Sequence, residues 1–347
     1  MKRSILGIGM ALFLASLAAA QADLQPVAIV KLVKTEQISV KQLKTQVEEA
    51  EKAEGRTLTP AERRMVLDVM INERLVLQAA ERDKLVISEA EVNQQIQQMR
   101  AQLSQNVNRQ ITDAEFAQAV KNDSGLDFPA FREQIRRRYT LQKYLQEKKK
   151  AVFQSFQAPA EADIQNFYNV NKAQFVRPET VRISMIQIPL GKDAADKVKA
   201  KALAEQLVRE IGSNPAKFDE AVIRSKTPAS GYQGGDAGYL PRNPQALQLV
   251  GQELLDTAFR LKQGEVSRMI ENSQGYHILK ITETYEMKNL TLNDIIQPGN
   301  LKTVREYITE GITQDRQQAI IAKATQELVA ELRQGTPFQI FENNLKW

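Results

Sequence analysis

Apolar residues recur at helical spacing through most of the first 155 positions and alternate at strand spacing in a few short runs. Val27–Leu32 reads as a strand, Lys34–Gln37 as a polar turn, and Ile38-Ser39 as a second strand, with a helix from Val40. Thr59-Pro60-Ala61-Glu62 is a capping box with proline at the first helical position. The helix behind it carries Val66, Val69, Met70 and Leu77, with Leu67, Ile71 and Leu75 widening the stripe. Apolar over much of its circumference, it is expected to lie at the centre of its domain. Ser88-Glu89-Ala90-Glu91 starts another helix, with Val92, Ile96, Met99 and Leu103 on one face, and Thr112-Asp113-Ala114-Glu115 a third. Asp127 precedes a fourth, with Phe131, Ile135, Tyr139 and Leu145 on one side. Residues 23–157 are thus expected to form a mostly helical domain.

Ala158-Pro159-Ala160-Glu161 marks a boundary and opens a linker helix over 158–177. The run Val181–Pro189 then alternates, with Val181, Ile183, Met185 and Gln187 on one strand face and Arg182, Ser184, Ile186 and Ile188 on the other. A helix follows with Ala200, Leu203, Leu207 and Ile211 in register, then one with Phe218, Ala221 and Val222. Gly234-Gly235-Asp236-Ala237-Gly238 reads as a tight loop. Asn243-Pro244 caps one further helix bearing Leu247, Val250, Leu254, Ala258 and Phe259. Asn272-Ser273-Gln274-Gly275 reads as a hairpin turn. From about 300 to 334 the pattern predicts a long helix or a pair broken near Gly311, stopped by Gly335-Thr336-Pro337 and followed by a last strand, Phe338–Phe341.

Several pieces between Val181 and Lys280 carry a family resemblance. They are Phe218-Asp219-Glu220-Ala221, the Gly234–Gly238 loop, the helix end at Ala258-Phe259, Gly264-Glu265-Val266-Ser267, and Gly275-Tyr276-His277-Ile278. In this order and spacing they resemble a parvulin, a small prolyl isomerase domain, over residues 178–286. Phe167-Tyr168, Asn171-Lys172, Phe175 and Pro178-Glu179 resemble the lead-in to that domain in SurA- and PrsA-type foldases. The N-terminal strand pair, Asn72-Glu73-Arg74-Leu75-Val76 and the run from Val86 to Val92 resemble the first part of those proteins. The resemblance implies an α+β chain: a helical SurA N-terminal-like chaperone module plus an inserted parvulin-like domain, with a small four-stranded sheet and surrounding helices. It also implies that residues 287–347, a C-terminal helix and strand, pack back on the N-terminal domain.

Active parvulins carry two histidines with a cysteine or aspartate between them. The family's first histidine falls on Met185, in Val181-Arg182-Ile183-Ser184-Met185, and its cysteine or aspartate on Pro228. Only the second histidine is present, as His277, the single histidine of the chain. The proline slot implied by the family falls on Met185, Ala237, Val250 and Leu254, without an aromatic floor. Isomerase activity is therefore expected to be weak or absent. His277 alternates with Leu279 and Ile281, so it should point inward, either as a buried histidine satisfied by backbone or as a residual catalytic group. An active isomerase would have to use His277 with Ser184 or Thr227.

Composition narrows the rest. Lys2-Arg3, the apolar run Ile5–Leu17 and the small residues before Ala22 predict a cleavable signal peptide over 1–22. There is no cysteine, which excludes disulfides and a lipid on an N-terminal cysteine. The expected location is the periplasm, free of an integral membrane segment. The net charge of +5 falls to +3 without Lys2 and Arg3, too little to argue for nucleic acid. One histidine and no cysteine leave no metal site, and no cofactor is expected. Lys148-Lys149-Lys150 reads as a solvated helix end. The partners expected are unfolded or partly folded exported polypeptides. A surface interaction protein reusing the fold is the remaining alternative.

Overall fold

The computed structural model describes residues 23–191, 193–335, 338–345 and 347. The predicted signal peptide and the Thr336-Pro337 stop lie outside them. The chain divides into two units, one holding residues up to 157 together with 316–347, the other 158–315.

The first unit opens with strands β1 (Pro26–Lys31) and β2 (Thr35–Ser39), paired antiparallel with Ile29 opposite Gln37. Ser39 ends β2 and caps α1 (Val40–Glu54): its Oγ accepts from Gln42 N–H, and the Gln42 side chain accepts from Ser39 N–H. Helix α2 (Pro60–Arg82) starts at the Thr59–Glu62 box. Such caps contribute about 1 kcal/mol each, by satisfying N–H groups that the first turn cannot pair. The buried face of α2 is Leu67, Ile71 and Leu75, at i, i+4 and i+8. Those three residues, which the pattern placed at the margin, are its centre. Val66, Met70 and Leu77 flank them half-buried, and Val69 is 65% exposed. Around this face pack Val27, Val30, Ile38, Leu43 and Tyr144.

Helices α3 (Glu89–Asn106), α4 (Asp113–Ser124) and α5 (Phe128–Lys148) close a second core from Val92, Ile96, Phe116, Phe131 and Ile135. The rings of Phe116 and Phe131 meet edge to face at 6.3 Å. Because α5 carries Ile135 in this core and Tyr144 in the first, it ties the two together. A short α6 (Lys150–Gln154) follows.

The second unit begins with α7 (Glu161–Val170), β3 (Val176–Arg177) and β4 (Thr180–Pro189), then α8 (Ala194–Ile211) and α9 (Pro215–Arg224). Strand β5 (Gln233–Pro241) comes next, so the glycine run is not a loop but one strand of the sheet. Its turn character survives as a bulge: Gly238 faces Ile183 and Asp236 faces Ser184, leaving Ala237 between them. The single helix predicted after Asn243 is two, α10 (Pro244–Val250) and α11 (Gln252–Arg260). Gly251 separates them at φ +82°, ψ 161°, a backbone state that glycine adopts freely and that no helix continues through.

Strands β6 (Ile270–Asn272) and β7 (Gly275–Tyr285) complete an antiparallel sheet of order β5-β4-β7-β6. The predicted alternation sorts its two faces. Ile186, Ile188, Tyr276 and Ile278 pack with Leu207 of α8 and Phe218 of α9. Val181, Ile183, Leu279 and Ile281 pack with Leu254, Leu255 and Ala258 of α11. Beside the sheet, β8 (Lys288–Asn289) pairs with β3. A smaller core there joins Tyr168, Phe175, Leu290, Val304 and Ile308.

Helix α12 (Val304–Arg333) runs unbroken through Gly311. Its residues from 316 onward belong to the first unit, where Leu328 and Leu332 enter the core of α2. Strand β9 (Phe338–Ile340) then adds to β1, giving the order β2-β1-β9. This return corrects the reading of the lysine run. Lys149 is 7% exposed, because α12 carries Glu331 within 2.5 Å and Glu327 within 3.7 Å of its ammonium.

Candidate functional site

His277 sits on β7 two residues beyond the hairpin turn and is 1% exposed. Asn272 Oδ1, on the other arm, accepts the Gln274 N–H at 2.8 Å and lies 2.9 Å from His277 Nε2. The backbone donor fixes which end of the Asn272 amide is oxygen. The ring nitrogen facing that oxygen must then carry the proton and donate. That leaves Nδ1 as a bare acceptor, buried and without a partner. The predicted backbone partner for the ring is in fact the Asn272 side chain. Burial pushes the imidazole pKa below its ordinary value, since the cation would lose its hydration with nothing to replace it.

The other positions implied by the resemblance are spread around this strand. Gln187 of β4 lies opposite His277, while Met185 lies opposite Leu279 on one side and Gly235 on the other. Met185 and Val250 are half-buried against the cluster that holds Leu254, itself 3% exposed, so these three share one apolar face. Ala237 is exposed in the β5 bulge and stands outside that cluster. Pro228 opens a 3₁₀ turn, Pro228–Ser230. Ser184 Oγ donates to Gly235 O at 3.1 Å, and Thr227 Oγ1 to Arg224 O at 2.8 Å. Among the described residues no group of three or more His, Cys, Asp or Glu side chains could hold a metal ion.

A second site lies in the helical unit and escaped the sequence pattern. Between α2, α5, α6 and α12 runs a cleft of about 580 Å³, lined by Val69, Val76, Leu141, Leu145, Phe153 and Ile321, with Asn72 and Glu73 among its polar groups. Val69 and Ile321 are 65% and 50% exposed. The signal was present in α2: it has more apolar residues around its circumference than one core can cover, and Val69 is the surplus.

Two family models match in sequence order. The SurA-like N-terminal domain matches residues 5–145, and the PPIC-type PPIase domain residues 159–297. The sheet order and the helices on both its faces agree with that pair. The chain is a SurA/PrsA-like foldase with a parvulin-type domain. It is similar to the foldase protein PrsA of Clostridium botulinum (strain Loch Maree), 25% identical over 311 residues, covering 88% of this chain and 82% of that one. It is also similar to the chaperone SurA of Saccharophagus degradans, 26% identical over 310 residues, covering 82% and 67%. A solved SurA-like chaperone of Campylobacter jejuni aligns over 91% of this chain and 99% of its own at 14% identity, with a TM-score of 0.40. Chaperone and foldase work is the general activity of this family. This SurA/PrsA-like foldase carries an apolar cleft in the helical unit and, in the other, a parvulin-type sheet whose His277 is buried. Among the described residues no helix is long and apolar enough to cross a membrane.

Proposed function

We propose that this foldase is an ATP-independent holding chaperone for exported polypeptides, outside the cytoplasm, and that its parvulin-type domain serves as a scaffold with little or no isomerase activity. In this reading residues 1–22 are a cleaved leader that leaves the chain free in the periplasm. Residues 23–157 and the returning 316–347 form the chaperone module; 158–315 hold the linker helix and the parvulin-like domain, and 287–315, expected to pack on the N-terminal domain, pack instead with the linker helix. One observation carries the proposal. The lone family histidine is buried, its Nε2 is committed to Asn272, and the partner positions hold Met185 and Pro228. A prolyl isomerase must lower an amide-rotation barrier of about 18–20 kcal/mol by binding the twisted amide better than the planar one. A 1%-exposed ring presents no open face for that. Ser184 and Thr227, the hydroxyls that could substitute, are both engaged with carbonyls within the chain.

Holding needs an apolar, water-excluding surface with polar groups at its rim, and the cleft around Val69 and Ile321 supplies one. The test is a refolding protein limited by proline isomerisation, which takes about 10–100 s uncatalysed. The mature chain is expected to suppress aggregation at stoichiometric amounts and to leave the slow phase unchanged at a twentieth of that. Val69→Asp with Ile321→Asp should reduce the suppression severalfold, with folding checked by circular dichroism. Acceleration of the slow phase at substoichiometric amounts, lost in His277→Ala, would establish catalysis instead.

A further inference from the structure

The parvulin-type unit has a second cleft, far from His277. It lies at the end of the sheet where Thr180 pairs with Pro241 and Tyr285, whereas His277 pairs with Gln187. Seven positions of β4 separate the two, roughly 23 Å at ~3.3 Å per residue. The cleft holds about 700 Å³ and is walled chiefly by Phe167, Phe175, Pro178, Tyr239, Ile296 and Tyr307. Phe167 and Tyr307 are 39% and 51% exposed, and Ile295 and Leu301 of the same loop are 45% and 92% exposed. Part of the wall is preformed. A Cβ on Gly299 would fall 2.4 Å from a ring carbon of Tyr239, so the loop bearing Ile296 lies directly on that ring.

Among the described residues, Arg177 is the only charged one lining this cleft. Its Nη2 donates to Glu286 O at 3.2 Å, and its guanidinium stands 5.3 Å from the Tyr285 ring centre. Its Nε is buried without a partner. No carboxylate among the described residues pairs with it. Its neighbours are otherwise supplied: Arg182 pairs with Asp236 and Glu283, and Arg242 with Glu179. A guanidinium is built for two-pronged pairing with a carboxylate, and a buried donor left unmatched is costly. Apolar lining continues along the chain on both sides of Arg177, through Phe175 and Val176 before it and Pro178 after it.

The geometry points to a binding site for an extended polypeptide segment that carries an internal aspartate or glutamate among aromatic and aliphatic residues, its carboxylate on Arg177 and its apolar side chains in the cleft. The inference shares with the proposed function only the premise that the chain binds unfolded polypeptide. Failure of the Val69 and Ile321 variants to lower aggregation suppression would sink that reading and leave this one standing.

The experiment titrates the mature full chain with a labelled octapeptide, acetylated and amidated at its ends, with one aspartate among phenylalanine, leucine and proline. The aspartate peptide should bind at least tenfold more tightly than its asparagine twin, an advantage that high salt reduces. Arg177→Met should erase that preference, and Tyr307→Ser should weaken both peptides while keeping it. Val69→Asp, in the other cleft, should leave the aspartate preference intact. Equal binding of the two peptides overturns the proposal, as does an unchanged aspartate preference in Arg177→Met or loss of that preference in Val69→Asp. An asparagine peptide with a free C-terminal carboxylate that outcompetes the amidated aspartate peptide would overturn it too, by moving the recognised charge to a chain end. The comparison of peptides on the unaltered chain needs no variant to fold.

Discussion

His277 is the only side chain in the protein whose ordinary pKa lies between those of the carboxylates and the amines. Burial lowers it in the folded state, so the unfolded chain binds the proton first as the pH falls. Stability that is flat above about pH 6.5 should therefore decline below it, until the folded pKa is reached. His277→Leu removes the titration together with the orphaned Nδ1. Urea midpoints at pH 7.5 and 5 should differ in the natural chain and converge in that variant; an unchanged difference would mean that other groups carry the acid sensitivity. The inward orientation of His277 was readable from alternation with Leu279 and Ile281. Its bond to Asn272 was not, because a hairpin turn sets which side chains cross from one arm to the other. Met185, Val250 and Leu254 were grouped by the family resemblance and not by the pattern, and they share one apolar cluster. Ala237 was not placed, because the bulge that exposes it inserts a residue that the strand period does not count.

At the scale of elements, caps were the most legible feature, since a box such as Thr59–Glu62 is satisfied within four residues. Pattern alone could not see what a distant helix would cover. Lys149 is the instance: its solvated appearance ended when α12 brought Glu331 alongside. The pair is lopsided, with side-chain exposures of 8% for Lys149 and 61% for Glu331. Removing the buried partner leaves a carboxylate that water can solvate, whereas removing the exposed one leaves a buried ammonium with only the more distant Glu327, at 3.7 Å. Glu331→Ala should cost about 1–2 kcal/mol and Lys149→Met less than about 0.5 kcal/mol. Chemical denaturation of the two variants checks the order, and a larger loss for Lys149→Met would refute it. The break at Gly251 belongs to the same scale: an apolar stripe kept in register across 243–259 hides a turn that only backbone geometry shows.

At the scale of the molecule, the first unit is discontinuous in sequence. Its core takes Leu328 and Leu332 from α12, and its three-stranded sheet takes β9. A chain ending at Asp315 should lose the cooperative transition of the first unit and expose its core to a hydrophobic dye, while the second unit keeps its own. Two transitions unchanged by the truncation would show that the returning segment is dispensable. The helical character of residues 23–157 was legible from its regular pattern, whereas the inserted domain with its four-stranded sheet came from the family resemblance. The apolar clefts were not, since a cleft is a mismatch between surfaces that come from separate stretches of chain.

The hydrogen bond from Asn344 to the Pro26 carbonyl joins residues 318 positions apart. Ribosomes add about 5–20 residues per second, so roughly 15–65 s pass between the making of the two. Until β9 is made, β1 can fill one edge with β2 while its other edge has no partner strand. The first strand thus waits for its last neighbour for about as long as an uncatalysed proline needs to turn.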